Sequence, residues 1–352
     1  MKKRILFTRR YTGTPGGAER YLDRLMGEMR RDGIEAEKID MEIPDYLPSW
    51  LQVLLYDRRI CSGSYLSDDT LLFSLERISC PDIYRAGDGV HRAFLKTKGF
   101  TLNPLHLAYL HLEKRTFENA SLIIANSHMV AGEIVSEYGI ERDRIRVIYN
   151  GVPRVESIDR ESAYRKVIRE LNIDEGRRIL LFVGNGFERK GLKRFLDIVS
   201  RVRSDCHAIV VGRDKRAERY LSYAEELGID ERVSFVGYRE DVETLYEASD
   251  IFLFPTRYEP FSNVVPEAMS HGAVAFTTTE NGASEILDER FVMRKGSDGE
   301  IAERIDAILS DADELRLCRE DALKRASELT VERNMRETMR AIEEFFGEKD
   351  PD

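Results

Sequence analysis

The chain of 352 residues is 42% hydrophobic and 34% charged, and its formal net charge at pH 7 is −10. This length accommodates two domains with full hydrophobic cores, and no apolar run approaches the ~20 residues that a membrane-spanning helix requires. The acidic balance argues against a nucleic-acid-binding protein, because such proteins usually carry a strongly basic domain.

The first part of the chain predicts strands that alternate with helices. Residues 4–8 form a short strand whose apolar stretch is too brief for a signal peptide. A glycine-rich segment then precedes an amphipathic helix at 18–31 and a second strand at 34–39. Further strands are expected at residues 70–75, 82–86, 121–125 and 145–149, with helical segments at 47–56, 103–118 and 127–138. The glycine segment lacks the G-x-G-x-x-G pattern, so it gives no support to nicotinamide binding.

The same alternation restarts after a turn at residues 150–153 and a polar linker at 154–175. Strands are expected at residues 178–183, 207–212, 233–236, 251–254 and 273–278, and the last helices at 300–311, 313–328 and 331–346. We therefore predict an α/β protein with two Rossmann-like parallel-sheet domains. The N-terminal domain comprises residues 1–152 and is joined by the C-terminal helix at about 331–347, and the C-terminal domain comprises residues 153–330.

The four cysteines, at positions 61, 80, 206 and 318, show neither a C-x-x-C pair nor the spacing of zinc ligands. We therefore expect reduced thiols, as in a cytoplasmic protein, and no metal site.

Two carboxylates stand eight positions apart across a predicted strand-to-helix turn. Glu259 follows the strand at 251–254, and Glu267 lies in the first turns of the next helix. In open α/β sheets, ligands bind beyond the carboxyl ends of the strands and against helix N-termini. The arrangement suits a ligand with several hydroxyls and a diphosphate, although two surface glutamates on a solvated loop would give the same local pattern.

The segment from Glu259 to Gly272 resembles the E-x7-E region of the retaining glycosyltransferases of family 4. Further stretches resemble that family in the same order along the chain: residues 16–19, 150–152, 183–191, 210–215 and 235–242. The resemblance implies a GT-B fold, in which two Rossmann-like domains face each other across a cleft. It also implies transfer of a hexose from a UDP-sugar to a glycan or glycolipid acceptor, with retention of configuration. Residues 82–117, 189–190 and 212–215 most resemble the lipopolysaccharide-core enzymes that add glucose to heptose.

The resemblance assigns the charged residues of the C-terminal domain to the donor. Arg189 and Lys190 hold the diphosphate, since fixed cations stabilise its growing negative charge. Glu259 takes hydroxyls of the donor sugar and Glu267 takes those of the ribose, because a carboxylate accepts two O–H donors. Two cations at a helix N-terminus, where the dipole disfavours them, also predict a nearby anion.

Uncharged groups of the same loop are assigned to substrate binding as well. Asn263, Val264 and Val265 open the helix that carries Glu267, and their free backbone N–H groups can bind phosphate. Ser262 stands where many family members have glycine. The backbone around Arg239 is expected to meet the base.

From the N-terminal domain, Gly16 and Gly17 would let the backbone approach the phosphates and the acceptor closely, although an ordinary tight turn explains them equally well. Asp88 and His91 follow a buried strand and face the expected cleft. Many family members bond the donor sugar with a histidine near this position. The sequence leaves open whether Asp88 or His91 takes that role, and whether His91 is simply a surface histidine.

Residues 92–115 contain five basic residues and one acidic residue, Glu113, among aromatic and aliphatic ones. Such a stretch can lie on an anionic membrane, and in the similar core enzymes this region faces the inner membrane. A core-packed helix with a basic edge fits the same pattern. We expect a cytoplasmic protein, with peripheral attachment to the inner face of the membrane as an open alternative.

No cofactor is expected beyond the UDP-sugar donor, since GT-B enzymes generally need no metal. The alternatives are a nucleotide-sugar epimerase of the same fold and a non-catalytic homologue that binds a nucleotide sugar or a glycan. The combination of Glu259, Glu267, Arg189 and Lys190 favours transfer. The sequence leaves the donor sugar, the acceptor and the oligomeric state open.

Overall fold

The chain divides into two compact units in a computed structural model, which describes residues 4–10, 17–31, 33–39, 41–98 and 101–347. The N-terminal unit comprises Met1–Tyr149 with Glu332–Asp352, and the C-terminal unit comprises Asn150–Val331.

The N-terminal unit contains a six-stranded parallel sheet in the order β2-β1-β3-β4-β5-β6. Its strands are β1 (Arg4–Thr8), β2 (Ala36–Ile39), β3 (Thr70–Ser74), β4 (Ile83–Ala86), β5 (Leu122–Ala125) and β6 (Ile145–Val147). The helices are α1 (Gly17–Arg31), α2 (Ser49–Cys61), α3 (His91–Lys98), α4 (Pro104–Asn119) and α5 (His128–Tyr138). Every residue of β5 is buried, as expected of a parallel strand that is covered on both faces.

The C-terminal unit contains a second six-stranded parallel sheet, in the order β12-β11-β10-β7-β8-β9. Its strands are β7 (Arg178–Val183), β8 (Cys206–Val211), β9 (Val233–Gly237), β10 (Ile251–Phe254), β11 (Val274–Thr278) and β12 (Val292–Met293). The helices are α6 (Arg160–Leu171), α7 (Phe187–Lys190), α8 (Leu192–Val199), α9 (Ala217–Glu226), α10 (Val242–Ala248), α11 (Val264–Ser270), α12 (Asp298–Ser310) and α13 (Ala312–Ser327). The last helix, α14 (Val331–Gly347), follows directly. The predicted α/β class with two parallel sheets is confirmed.

The prediction of reduced thiols is wrong for two of the four cysteines. Cys61, at the end of α2, forms a disulfide with Cys80, which lies shortly before β4, with 5.7 Å between their Cα atoms. Cys206 and Cys318 are free and buried. The bridge joins residues 19 apart, and such a pairing follows from proximity in the fold and not from a spacing motif.

Helix α3 was not predicted, because it lacks an apolar stripe and none of its residues is fully buried. Its first backbone N–H groups, those of His91 and Arg92, donate to the carboxylate of Glu113 at 2.6 and 3.1 Å. Glu113 is fully buried in α4. The helix start is therefore stabilised by a side chain about twenty residues further along the chain, where local sequence reasoning finds no signal.

Candidate active site

The predicted donor-binding residues follow β7 and β10, two neighbouring strands of the C-terminal sheet. From β7 the chain proceeds outward to β8 and β9, and from β10 it proceeds the other way to β11 and β12. The carboxyl ends of β7 and β10 therefore form a topological switch point, where open α/β sheets bind their ligands. Arg189 and Lys190 lie in α7 after β7, and Glu259 lies in the loop after β10.

Glu259 lies at the centre of a cationic cluster. Its side chain is largely buried, and its Oε1 lies 2.7 Å from Lys190 Nζ. Arg189 Nη1 forms an ion pair with the same oxygen and donates to the carbonyl of Tyr258 at 3.3 Å. Two hydrogen bonds fix the backbone of Glu259. Its N–H donates to the carbonyl of Glu280 at 3.0 Å, and its carbonyl accepts from the N–H of Gly282 at 3.0 Å. Three of the predicted residues therefore meet in one place.

Burial makes the positive charge of Lys190 costly. Desolvation, followed by repulsion from Arg189, lowers the pKa of Lys190 to about 7. The carboxylate of Glu259 acts in the opposite direction, because it favours the ammonium form. Desolvation also lowers the pKa of Arg189. The cluster thus holds cations that an additional anion would stabilise.

Gly191 brings the two loops together. It adopts a left-handed conformation with φ of +80°, and a Cβ at this position would lie 1.8 Å from the carbonyl oxygen of Pro255. Only glycine fits here. Beside this contact, the carbonyl of Arg189 accepts hydrogen bonds from the N–H of Arg257 at 2.9 Å and from the hydroxyl of Thr256 at 3.1 Å.

Glu267 lies in the first turn of α11, as predicted. Tyr246 in α10 donates its hydroxyl to Oε2 of Glu267 at 3.3 Å. Burial, followed by the charge of Glu267, raises the pKa of Tyr246 well above its ordinary value, so the phenol remains a donor. Sequence reasoning missed Tyr246, which lies in α10 beyond the end of the family stretch at 235–242.

The turn between Glu259 and Glu267 is held by Asn281, a fully buried side chain that sequence reasoning also missed. Its Oδ1 accepts from the N–H of Ser262 at 3.2 Å and of Ala283 at 3.1 Å. Its Nδ2 donates to Thr277 at 2.9 Å. An asparagine three residues after the predicted strand at 273–278 is the one sequence signal that points to it.

The predicted helix opening is only partly free for a ligand. Asn263 Oδ1 accepts from Asn150 Nδ2 at 2.8 Å, and the N–H of Val265 donates to the carbonyl of Ser262 at 3.3 Å. Val264 is the first residue of α11, and its side chain is partly exposed. Of the three N–H groups proposed for phosphate, that of Val265 is therefore already used.

Arg239 follows β9, which β7 and β8 separate from β10. Its Nε and Nη2 donate to Asp241 at 2.8 and 2.9 Å, and Nη2 also donates to Glu170 at 3.1 Å. These hydrogen bonds lower the pKa of Asp241 to about 2. The guanidinium is thus engaged by two carboxylates, and the predicted role of this segment in base binding rests on its backbone.

In the N-terminal unit, the switch point lies between β1 and β3. Arg9, directly after β1, forms an ion pair with Glu76, just after β3, at 3.0 Å, and lies 3.8 Å from Asp88 after β4. The side chain of Asp88 is 61% exposed. Burial raises the pKa of Glu76, and Arg9 opposes that shift. Sequence reasoning named Asp88 but missed Arg9 and Glu76, although each follows a predicted strand.

His91 is partly buried at the start of α3. Its Nε2 lies 3.0 Å from Nδ1 of His106, and its ring centroid lies 5.2 Å from that of Tyr109. Burial, followed by the charge of Arg77, lowers the pKa of His91 to about 4, so the imidazole is neutral at pH 7. Gly16 lies outside the described residues, and Gly17 is the first residue of α1.

Comparison with known families identifies the chain. Residues 164–325 match the family described as glycosyl transferases group 1, and residues 84–155 match Glycosyltransferase Family 4. Together the two matches span more than half of the chain. The chain is a glycosyltransferase that carries these two domains. The family resemblance and the prediction of a transferase are thereby confirmed, and the first match includes Arg189, Lys190, Glu259 and Glu267.

Individual relatives of this glycosyltransferase include enzymes of lipopolysaccharide synthesis. Lipopolysaccharide core biosynthesis glycosyltransferase LpsE of Rhizobium meliloti is 26% identical over 82% of this chain and 81% of its own. Lipopolysaccharide glucosyltransferase WaaG of Escherichia coli is 29% identical, and the match spans 58% of each chain. The matched stretch is thus under two thirds of the length of WaaG.

Solved structures extend the fold comparison to nearly the whole chain. A crystal structure of WaaG matches with a TM-score of 0.74 and 19% identity, over 97% of this chain and 100% of the other. A crystal structure of Anabaena HepE in complex with UDP and glucose matches with a TM-score of 0.71 and 20% identity, over the same shares. The predicted GT-B fold is confirmed, and the roles of the individual site residues stay predictions.

Two further observations concern metals and membranes. Within the described ranges, no group of three or more His, Cys, Asp or Glu side chains is arranged to hold a metal ion. No helix in the described part of the chain is both long and apolar enough to cross a membrane. Metal independence stays a prediction.

Proposed function

We propose that this glycosyltransferase moves a hexose from a UDP-sugar to a glycan or glycolipid acceptor with retention of configuration. The observation that carries the proposal is the meeting of Arg189, Lys190 and Glu259 at the switch point of the C-terminal sheet. The solved complex of HepE with UDP and glucose supports the choice of donor. LpsE and WaaG, both named as lipopolysaccharide glycosyltransferases, support an acceptor of the lipopolysaccharide or cell-surface polysaccharide type.

In this proposal the diphosphate of the donor binds Arg189 and Lys190. Its negative charge favours the ammonium form of Lys190, whose pKa is about 7 without it. As the bond from the sugar C1 to the phosphate oxygen breaks, these preplaced cations stabilise the growing charge of UDP with little reorganisation. The acceptor oxygen bonds to C1 on the same face, and its proton goes to the departing phosphate oxygen.

The two glutamates then take the two ends of the donor. Glu259, released from Lys190, accepts hydroxyls of the hexose. Glu267 accepts the ribose hydroxyls, and the hydrogen bond from Tyr246 holds its carboxylate in place. We further propose that the reaction needs no metal, because the cationic pair neutralises the diphosphate. Full activity in the presence of EDTA is the expected result, and loss of activity that Mg²⁺ restores would contradict it.

A lipid-linked acceptor requires contact with a membrane, and α2 and α4 of the N-terminal unit offer a surface for it. Their facing sides pack together through Val53, Ala108 and Leu112, so this part of the predicted stretch is core. Large apolar side chains nearby remain exposed: Tyr46, Trp50, Leu102 and Leu107. Exposed basic side chains lie in these two helices and in α3: Arg58 and Arg59 in α2, Lys96 and Lys98 in α3, and Lys114 and Arg115 in α4. An amphipathic basic surface of this kind binds anionic lipid.

Liposome flotation tests the membrane proposal. We expect binding to vesicles that contain phosphatidylglycerol, weaker binding to neutral vesicles, and loss of binding in a Leu102→Ser, Leu107→Ser variant. If the protein floats with neither type of vesicle, peripheral attachment is overturned, and the transferase proposal is unaffected.

Calorimetric titration with UDP, GDP and ADP tests the proposed donor. We expect UDP to bind most tightly and Lys190→Ala to weaken binding at least tenfold. UDP-sugars are then assayed for slow hydrolysis and for transfer, and NMR of the product reports whether the anomeric configuration is retained. If no nucleoside diphosphate binds, the proposal fails. If an epimerised nucleotide sugar appears without transfer, the epimerase alternative replaces it.

A further inference from the structure

A cavity of about 760 Å³ lies in the C-terminal unit beside the candidate active site. This volume falls within the range of small-molecule sites. Helices α8 and α9 form its walls, and the segments that follow β10, β11 and β12 complete its lining through Arg257, Glu280 and Lys295. The cavity therefore lies at the carboxyl ends of three parallel strands, the usual position for a ligand. Neither Lys190 nor Glu259 lines it.

One wall is held together by interactions among its own residues. Lys193 and Asp197 form an ion pair at 3.1 Å, and the hydroxyl of Tyr223 contacts both side chains. Arg194 pairs with Asp298 at 2.7 Å. Tyr220, next to this network, is buried. These groups form a fixed polar and aromatic wall, because each of their charges is already neutralised.

Four other charged side chains line the cavity and take no part in this network. Arg219 and Glu226 lie on one face of α9, with Tyr223 between them, while Lys295 and Glu280 lie at the strand ends. Within the described residues, none of these four side chains forms an ion pair or a hydrogen bond with another residue. The cavity thus offers two cations together with two carboxylates. Two cations match a phosphate dianion, and the carboxylates can accept hydroxyl donors.

The cavity is also connected to the candidate active site. Arg257 lines the cavity, and its backbone N–H donates to the carbonyl of Arg189 at 2.9 Å. Thr256, also in the lining, donates to the same carbonyl at 3.1 Å. A ligand that contacts this segment therefore acts on the backbone that positions Arg189.

We propose that this cavity is a second binding site, which takes a phosphorylated mono- or disaccharide. The phosphate binds Arg219 and Lys295, and the sugar hydroxyls donate to Glu226 and Glu280. The site is separate from the proposed donor site and does not depend on which nucleotide sugar binds there.

Saturation-transfer NMR and calorimetry on the full chain with saturating UDP test this proposal. The probes are glucose 1-phosphate, glucose 6-phosphate and mannose 6-phosphate, with glucose, mannose and inorganic phosphate as separate arms. We expect at least one sugar phosphate to bind at least tenfold more tightly than its parent sugar and than phosphate. Binding by none of the sugar phosphates, or equal binding by phosphate or by the parent sugar, would overturn the proposal.

The variant Arg219→Gln, Lys295→Gln locates the binding site. Both side chains are exposed, so the fold should be retained, which circular dichroism checks. We expect at least a tenfold weaker affinity for the sugar phosphate and an unchanged affinity for UDP. Arg304→Gln, an exposed arginine of α12 outside the cavity, is the matched control and should change neither affinity. If the double variant binds the sugar phosphate like the wild type, the assignment to this cavity is wrong.

Discussion

Lys190 Nζ lies 2.7 Å from Oε1 of Glu259, although the family resemblance assigns the two side chains to different parts of the donor. Each side chain is therefore an ion-pair partner of the other. A diphosphate that binds Lys190 competes with Glu259, and the carboxylate that it displaces becomes available for the sugar hydroxyls. Binding of the diphosphate by Lys190 and binding of the sugar hydroxyls by Glu259 are therefore coupled.

The competition predicts an unusual separation of binding and turnover in Glu259→Gln. Glutamine keeps the shape of the side chain but no longer neutralises Lys190. We expect an unchanged or several-fold tighter Kd for UDP, because the diphosphate meets no competing carboxylate. Transfer should fall by about 10²-fold or more, since a contact to the reacting sugar is lost. Calorimetry with UDP and initial rates with the UDP-sugar measure the two effects.

Lys190→Gln is the matched control for this prediction. It removes the cation and should weaken UDP binding by about ten- to a hundredfold, since a charge-assisted hydrogen bond contributes about 1.5–3 kcal/mol. If Glu259→Gln weakens UDP binding as much as Lys190→Gln does, competition between the carboxylate and the diphosphate is disproved.

The lowered pKa of Lys190 predicts that UDP binding takes up a proton. With a pKa of about 7 in the free protein, the side chain becomes mostly neutral as the pH rises from 7 to 8.5. Bound diphosphate favours the ammonium form and raises the pKa, so the affinity should fall with rising pH in this range. The limit is about tenfold per pH unit, which one titrating proton imposes.

Calorimetry in buffers of different ionisation enthalpy measures this proton uptake at pH 8. In Lys190→Gln, the affinity for UDP should depend less on pH, and UDP binding should take up no proton at residue 190. A wild-type affinity that is constant from pH 7 to 8.5 would show that Glu259 holds Lys190 charged in the free protein.

The sequence was sufficient to predict the two sheets, because their strands are apolar on both faces and alternate with helices. It was also sufficient to place Glu259, Lys190 and Arg189 in one candidate site, through motifs that surround them. Asn281 and Tyr246 could not be predicted, because they reach the site from segments without such motifs. The capping of α3 by Glu113 could not be predicted from the local sequence either, because it depends on how α4 packs against α3. The disulfide required knowledge of which two cysteines the fold brings together.

Reduction of the Cys61–Cys80 disulfide should destabilise the N-terminal unit. The bridge closes a loop between residues 19 apart, and in the chain-entropy model a loop of this size contributes about 3 kcal/mol. The sole tryptophan, Trp50, lies in α2 together with Cys61, so its fluorescence reports unfolding of this region. We expect a lower urea midpoint in dithiothreitol. The Cys61→Ser, Cys80→Ser variant should show the lower midpoint without reductant and no further change with it. A wild-type midpoint that does not respond to dithiothreitol would contradict the prediction.

Glu113 is a fully buried acidic residue of the N-terminal unit. Besides the N–H groups of α3, it accepts from Arg77 Nε at 3.0 Å and from the hydroxyl of Tyr138 at 2.5 Å. Arg77 is almost fully buried and also donates to the carbonyl of Gly89 at 3.0 Å, in the loop that carries Asp88. The pair therefore joins the start of α3 to the loop that carries Asp88.

Removing both partners of this pair should cost less stability than the sum of the losses from removing each one alone. Glu113→Gln leaves the charge of Arg77 buried without compensation, and we expect a loss of about 3–5 kcal/mol in the free energy of unfolding. Arg77→Met in addition removes that charge, so the double variant should be less destabilised than the sum of the single variants. Urea unfolding followed by Trp50 fluorescence measures all three, since α2 packs against α4. Additive losses would show that Glu113 acts through its hydrogen bonds to α3 and Tyr138 and not through Arg77.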